Sequence, residues 1–191
     1  MRDEWFIRGD VPMTKSEVRA ISLSKLELYP GSVLWDVGAG TGSVSVEAAL
    51  TCPDLQIYAF ERKQEAIELI KKNCRKAGTE SVTIIEGTAP ECFKGSSKID
   101  GTLCPTHAFI GGTAGSMEPI LDELLEKNPR MRIVLNVIAL ESVASILDYL
   151  RKRNLEAEIV SVQISKAEKA GRYHLMKGQN PVYIISFGGE A

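Results

Sequence analysis

The sequence predicts an α/β protein with a Rossmann-like, doubly wound sheet of seven mostly parallel strands, an antiparallel edge strand and helices on both faces. Short apolar runs alternate with helical patterns along the chain, as expected when crossover helices join parallel strands. A glycine-rich turn follows the first apolar run directly. The last two apolar runs have no helical pattern between them, so we expect them to pair antiparallel at the edge of the sheet.

The predicted elements follow from apolar periodicity and from residues that start or stop helices. A capping box, Thr14 to Glu17, predicts a helix through about Leu26, because the two side chains can satisfy backbone donors of its first turn. The predicted strands are residues 32–37, 56–60, 82–85, 107–110, 133–137, 159–164 and 182–187. The connecting helices are predicted at residues 44–50, 63–77, 117–126 and 140–153. The polar stretch 94–105 and the charged stretch 166–177 are expected to be loops.

Length and composition restrict the class of protein. A chain of 191 residues fits one domain, residues 1–191, in which we expect residues 1–30 to contribute to a cofactor or substrate site. No apolar run is long enough for a membrane span, and the start of the chain lacks a secretory pattern. We therefore expect a cytoplasmic protein. The net charge of −2 disfavours a nucleic-acid binder, and four cysteines without a C-x-x-C pair predict no metal site.

The glycine-rich turn is the motif that carries chemistry. It reads Asp36-Val37-Gly38-Ala39-Gly40-Thr41-Gly42. Glycines at the start of a helix let backbone amides approach a ligand closely. A dinucleotide fingerprint would need its third glycine at position 43, which is Ser43, so the spacing disfavours a nicotinamide cofactor. The turn resembles the first motif of S-adenosylmethionine-dependent methyltransferases, and Glu61 closes the second strand where a carboxylate can accept hydrogen bonds from ribose hydroxyls.

Further segments resemble one branch of those methyltransferases, the decarboxylating precorrin C15-methyltransferases of cobalamin biosynthesis, which act on cobalt-precorrin-6B or precorrin-8w. The likeness covers nearly the whole chain. Its most specific segments are Gly9-Asp10-Val11-Pro12-Met13-Thr14 and Ile138-Ala139-Leu140-Glu141. The resemblance implies methylation of a corrin precursor at C15, with loss of carbon dioxide from the C12 acetate. It also implies S-adenosylmethionine as the cofactor and a homotetramer.

The resemblance carries a cofactor site over to this chain. The implied cofactor-binding residues are Thr14, Gly38, Ala39, Gly40, Thr41, Gly42, Glu61, Thr88 and Ala89. The family commonly has Gly-Asp-Ala where this chain has Gly87-Thr88-Ala89, so a hydroxyl replaces an acidic contact near the adenine, or the contact is absent. Residue types alone assign Thr14 equally to a helix cap or to a cofactor contact.

A polycarboxylate macrocycle needs cations, and these gather in two stretches of the sequence. Lys166, Lys169, Arg172, His174 and Lys177 lie within twelve residues, and Arg2, Arg8, Lys15 and Arg19 lie near the start. Arginine binds carboxylates bidentately. The substrate-binding candidates are Arg8, Glu141, Lys169, Arg172 and His174. A solvated charged loop explains the second stretch equally well. No catalytic residue is assigned, since methyl transfer depends mainly on positioning.

Three alternatives stay open on the residues alone. The first is a methyltransferase for RNA or another small molecule. Asn180-Pro181-Val182-Tyr183 resembles the N-P-P-Y loop of amino-group methylators, but it precedes the last strand instead of following the fourth. The second is a noncatalytic S-adenosylmethionine-binding protein, which would lack a roomy pocket above the glycines. The third is a nicotinamide-dependent reductase.

Overall fold

The computed structural model describes residues 1–79, 81–94, 99 and 104–189. The helices are α1 (Ser16–Leu26), α2 (Ser43–Thr51), α3 (Gln64–Ala77), α4 (Met117–Lys127) and α5 (Leu140–Arg153). The strands are β1 (Val33–Val37), β2 (Gln56–Glu61), β3 (Val82–Glu86), β4 (His107–Ile110), β5 (Arg132–Val137), β6 (Ala157–Val162), β7 (Ser165–Ala170), β8 (Tyr173–Gly178) and β9 (Val182–Phe187). Part of the predicted loop 94–105 lies outside the described residues.

Seven of the strands form one sheet in the order β3-β2-β1-β4-β5-β9-β6. Strands β1 to β5 pair in parallel, and β9 runs antiparallel to both of its neighbours. The predicted fold class is confirmed, with one refinement: the antiparallel strand β9 is second from the edge, and β6 is the edge strand. The strand order reverses between β1 and β4, and ligands of such sheets bind at the carboxyl ends of the strands beside this point.

The sheet is covered on both faces, because successive side chains of a strand point to opposite sides. Trp35 belongs to an apolar cluster that includes Ile120 of α4 and Ile146 of α5. Its neighbour Leu34 belongs to a second cluster, with Val44 of α2 and side chains of α1. The strands of the parallel part are therefore apolar on both sides, as expected for a central parallel sheet. Among the described helices none has the length and apolar character to cross a membrane.

An N-terminal strap, residues 1–15, passes over the carboxyl end of the sheet and is held there by two buried polar side chains. Arg19 is fully buried and donates to Glu47 Oε2 at 2.5 Å, to the Thr14 carbonyl at 2.5 Å and to the Met1 carbonyl at 2.7 Å. Asn73 accepts from the Ile7 amide at 2.8 Å and donates to the Ile7 carbonyl at 2.9 Å. These contacts position the strap against the helices that flank the glycine-rich turn.

Two local predictions are wrong. The capping box at Thr14 does not form: α1 begins at Ser16, and its N-cap residue Lys15 makes no side-chain capping bond. The Thr14 carbonyl is instead bound by Arg19, and Glu17 forms an ion pair with Lys166 at 2.8 Å. The charged stretch is not a loop but a two-stranded hairpin of β7 and β8, which turns at Gly171, where φ is +62°.

Candidate functional site

The glycine-rich turn leaves β1 and enters α2 beneath the strap. The amides of Gly38 and Ala39 donate to the Phe60 carbonyl at 3.0 and 3.1 Å, which fixes the turn to the end of β2. Gly38 has φ of +71°, and a Cβ there would lie 2.6 Å from the Gly112 carbonyl oxygen. A Cβ at Gly40 would lie 3.0 Å from the Pro12 carbonyl oxygen of the strap. Glycine is thus required at Gly38 by backbone conformation and by close approach of a second loop.

The Glu61 carboxylate lies beside this turn and is oriented by backbone amides. Its Oε2 accepts from the Gly40 amide at 2.9 Å, and its Oε1 accepts from the Arg62 and Lys63 amides at 2.8 and 2.9 Å. A carboxylate offers about four acceptor positions, so one remains on Oε2. One ribose hydroxyl can donate to this remaining position. A second hydroxyl could bind Oε2 only if the Gly40 amide released or shared its hydrogen bond to that oxygen. The carboxylate is therefore fixed in place before any ligand arrives.

Asp36, the acid of the motif, points away from the turn's ligand-facing side. Its side chain is fully buried, and Oδ2 accepts a hydrogen bond from the Ser45 hydroxyl of α2. Its Oδ1 is buried without a hydrogen-bond partner. Burial raises the pKa of the Asp36 carboxyl to about 6, partly opposed by the Ser45 hydrogen bond. Asp36 thus joins β1 to α2 and supports the turn from below.

A cavity of about 740 Å³ opens above the turn, within the usual size range for cofactor and small-molecule sites. Its floor follows the carboxyl ends of β2, β1, β4 and β5, and its roof is the strap. The cavity continues to the root of the β7–β8 hairpin. The residues that line this outer part include Asn136, Ile138, Val162, Ile164, Gln179, Asn180 and Val182.

Most of the predicted cofactor residues meet in this cavity. Those in its wall are Thr14, Gly38, Ala39, Gly40, Glu61, Thr88 and Ala89. Thr41 and Gly42 are not part of the wall. The Thr41 carbonyl accepts from Asn73 at 2.9 Å, and Gly42 faces α3, where a Cβ would lie 3.0 Å from Ile70. These two residues hold the strap and the helix packing, and their place in the predicted set is not supported by the geometry.

The predicted substrate residues are not brought to the cavity wall. Arg8, Glu141, Lys169, Arg172 and His174 are all exposed and lie outside the lining. Arg172 packs against its neighbour, with its guanidinium 5.2 Å from the Tyr173 ring centroid. Arg19, in the same sequence cluster as Arg8, is buried in the strap contacts described above.

The cavity instead presents cations that are not among the predicted substrate-binding residues, although Lys15 belongs to the cation-rich start of the sequence. Lys15 lies in the strap, and Arg62 and Lys63 follow Glu61 directly. Asn136 also lines the wall. The signal for Asn136 was present in the sequence, since a polar residue near the end of an apolar strand lies where ligands of such sheets bind. The cations carried no comparable signal, because their place depends on how the strap folds over the turn.

The sheet order, the glycine-rich turn and the acid at the end of β2 together define the class I methyltransferase fold. The chain belongs to a family within that class: residues 4–187 match the model of the precorrin methyltransferase domain. The predicted family resemblance is therefore confirmed.

Individual relatives agree along the whole chain. A protein of Sulfolobus acidocaldarius, named a probable cobalt-precorrin-6B C(15)-methyltransferase (decarboxylating), is 42% identical over 186 residues, which cover 96% of this chain and 94% of that protein. The structure of precorrin-6y C5,15-methyltransferase from Geobacter metallireducens superposes with a TM-score of 0.89 at 33% identity, covering 98% and 97% of the two chains. That of precorrin 8w decarboxylase from Methanobacterium thermoautotrophicum gives 0.87 at 32% identity, covering 98% and 99%.

Proposed function

We propose that this protein methylates a corrin precursor at C15 and removes the carboxyl group of its C12 acetate, as a step of cobalamin biosynthesis. Family membership and the names of the full-length relatives support the reaction. The observation that carries it is a single cavity of about 740 Å³ that extends from the turn and Glu61 to an outer region beside the base of the β7–β8 hairpin. A noncatalytic cofactor-binding protein would not need that outer region.

We propose S-adenosylmethionine as the cofactor. The groups present fit it: a fixed carboxylate for the ribose, and a turn that only glycine can form at Gly38. Thr88 and Ala89 line the cavity beyond β3, next to Glu61 in the sheet order, and would lie near the adenine. Thr14 would contact the cofactor from the strap. Thr41 and Gly42, which the sequence added to the set, would act on the turn without touching the cofactor.

For the substrate we propose a polycarboxylate tetrapyrrole. Lys15 supplies positive charge to the cavity wall from the strap, which suits acetate and propionate groups, whereas Arg62 and Lys63 lie beside Glu61 at the cofactor end. Arg8, Glu141, Lys169, Arg172 and His174 stay predictions for contacts with the outer groups of so large a ring. The chain's slight negative charge and pI near 5.8 agree with a small-molecule substrate and not with nucleic acid.

The residues of the chain act mainly by positioning. The bound cofactor supplies an electrophilic methyl group on a sulfonium. Glu61 and the Gly38–Gly40 backbone would hold the cofactor at one end of the cavity, and the outer wall would hold the ring beside it. The apolar side chains of Ile138, Val162 and Val182 line this region. Decarboxylation would break the C–C bond of the C12 acetate, leave the electron pair on the macrocycle, which can accept it, and end with a proton from solvent on the remaining carbon. Contact with apolar side chains removes solvation from the carboxylate and so favours its departure as carbon dioxide.

The test is incubation with cobalt-precorrin-6B and methyl-labelled S-adenosylmethionine. We expect label in the ring and release of one carbon dioxide per methyl group transferred. Methylation of the ring without release of carbon dioxide would mean that the protein is a C-methyltransferase that does not decarboxylate its substrate. Binding of S-adenosylmethionine without turnover would favour the noncatalytic alternative.

We further propose a cytoplasmic homotetramer that works away from membranes. All four cysteines are free thiols, as is usual in a reducing compartment. Large apolar side chains are exposed on the hairpin and on α5, with Tyr173 and Leu175 each 60% exposed and Leu140 66% exposed, which supports contacts between copies. Light scattering with size-exclusion chromatography should give four times the chain mass of 20.9 kDa, and a monomeric mass would contradict the assembly.

A further inference from the structure

Asn136 combines a polar side chain, a place in the cavity wall and a fixed orientation. It lies in β5, next to the carboxyl end of β4, since Ile110 pairs with Leu135 in the register of these two strands. Its side chain is half-buried and lines the cavity. Apolar residues line the same outer part, among them Phe109 and Val162. A neutral amide in such surroundings is costly unless it is hydrogen-bonded.

The Ser22 hydroxyl of α1 accepts a hydrogen bond from the Asn136 side-chain amide. Ser22 is fully buried, and its Oγ lies 2.8 Å from the Val18 carbonyl oxygen. A serine hydroxyl has one proton, and the Val18 carbonyl is its closest acceptor. Asn136 therefore donates through Nδ2 to Ser22 Oγ, at 2.9 Å. Asn136 Oδ1, 3.1 Å from the same oxygen, is then not bound by it. One Nδ2 hydrogen and Oδ1 are left for a ligand.

Glu61 and Asn136 lie at opposite ends of the row of strands that forms the cavity floor. The strands β2, β1, β4 and β5 are consecutive in the sheet, so Glu61 and Asn136 lie three strand spacings apart, about 14 Å. A cofactor that starts with its ribose on Glu61 and extends over β1 would end between the two. Asn136 would then face the other reactant.

We propose, on the basis of the proposed function, that Asn136 donates its second Nδ2 hydrogen to a carboxylate of the tetrapyrrole and that Ser22 is a positioning residue for this amide. The acetate and propionate groups at the edge of the ring are hydrogen-bond acceptors. They can therefore bind the free Nδ2 hydrogen of Asn136 and not its Oδ1. The bond would place the ring beside the cofactor through a neutral donor.

The test compares kcat and KM for cobalt-precorrin-6B, and the affinity for S-adenosylhomocysteine by calorimetry, in four variants. Asn136→Ala should lower kcat/KM about 10- to 100-fold, chiefly through KM, because a hydrogen bond to a charged group is lost. Asn136→Asp should lower it further, because an acceptor and a negative charge replace the donor. Ser22→Ala should lower it about 3- to 10-fold, and should have no further effect when added to Asn136→Ala. Cofactor affinity should change less than about twofold throughout.

Asn154→Asp is the matched control, since Asn154 is exposed at the far end of α5 in a left-handed conformation that aspartate also adopts. Its kinetics should equal those of the wild type.

Full activity of Asn136→Asp would overturn the donor role, and additive effects of the two alanine variants would overturn the positioning role of Ser22. A parallel loss of cofactor affinity would assign Asn136 to the cofactor and overturn the inference. A wild-type protein that does not turn over the substrate would overturn the proposed function, whereas an active wild type beside an unimpaired Asn136→Ala would overturn this inference alone.

Discussion

The glycine-rich turn and the β7–β8 hairpin are built in opposite ways. In the turn, Glu61 is buried and held by three backbone amides, and the Gly38 amide is bound by the neighbouring strand. In the hairpin, every residue of β8 is exposed, and cations such as Lys177 meet surface acids, here Glu168 at 3.3 Å. The turn is complete within one chain. The hairpin meets the rest of the described residues mainly at its base, through the ion pair between Lys166 and Glu17.

This difference decides what substitutions should do. Substitutions around the turn change buried polar groups, and these strongly affect the free energy of unfolding or of binding. Substitutions on the hairpin remove solvated charges, and these affect it little. Four predictions test this contrast, beginning with the largest expected effect.

Arg19→Met should lower the free energy of unfolding by about 3–5 kcal/mol, because Glu47 Oε2 loses its guanidinium partner, the Met1 amine remains as the only ion-pair partner of that carboxylate among the described residues, and the Thr14 and Met1 carbonyls of the strap are released. Urea denaturation measures the change. Arg75→Met, which removes an exposed arginine from α3, is the control and should change stability by less than about 0.5 kcal/mol. Equal effects of the two variants would show that the strap is not anchored by Arg19.

The pH dependence of stability should contain a step due to Asp36, whose pKa burial raises from 3.8 to about 6. The stabilising contribution of the protonated carboxyl is fully present below pH 3.8 and is lost as the pH rises through 6. Relative to Asp36→Asn, the wild type should therefore lose up to about 3 kcal/mol between pH 4 and pH 7. Asp54→Asn, at an exposed carboxyl, should show no such step. If the stability difference between the wild type and Asp36→Asn did not change with pH, the Asp36 carboxyl would not be desolvated.

Glu61→Ala should weaken the binding of S-adenosylmethionine by about 1–3 kcal/mol, because charge-assisted hydrogen bonds to the ribose and the bond that orients Gly40 are lost. Isothermal titration calorimetry measures it. Glu86 stands beside Glu61 in the register of β2 and β3 but is exposed and outside the cavity wall. Glu86→Ala should leave the affinity within about twofold of the wild type. Unchanged affinity in Glu61→Ala would remove this residue from the site.

The smallest effect is expected on the hairpin. Replacing Lys169, Arg172 and His174 together by alanine should raise KM for the tetrapyrrole about two- to fivefold through lost long-range attraction. Cofactor affinity and unfolding free energy should stay at wild-type values. High salt should remove the difference between the variant and the wild type, since exposed charges are screened. A loss of more than about a hundredfold would mean that these exposed residues contribute as much to binding as buried groups do, and the contrast between the two regions would fail.

The same contrast explains which parts of the molecule the sequence could predict. The turn is encoded locally: glycine at Gly38 and an acid nineteen residues after Gly42 specify a backbone geometry and its carboxylate. The Thr14 cap was wrong because Glu47 of α2 holds the buried guanidinium of Arg19, which binds the Thr14 carbonyl, and α1 begins only at Ser16. A tertiary contact of this kind leaves no periodicity in the sequence.

The hairpin and the outer cavity wall were harder to predict for related reasons. Polar residues fill β7, so apolar alternation gave no signal, although Gly171 and Arg172 form a two-residue connection that favours a hairpin. Lys15 and Asn136 reach the cavity through the strap and the sheet order. The place of Lys15 does not follow from local spacing, whereas Asn136 could have been found as a polar residue near the end of an apolar strand. The strand and helix positions themselves were predicted closely, because buried parallel strands and amphipathic helices have strong apolar patterns.

The most direct test of the account is a crystal structure of the protein with S-adenosylhomocysteine. We expect the ribose hydroxyls within about 3 Å of Glu61, the amino-acid end over Gly38 and Gly40, and the sulfur pointing toward the part of the cavity that Asn136 lines. A nucleoside bound away from Glu61, or a sulfur directed away from the outer cavity, would contradict it.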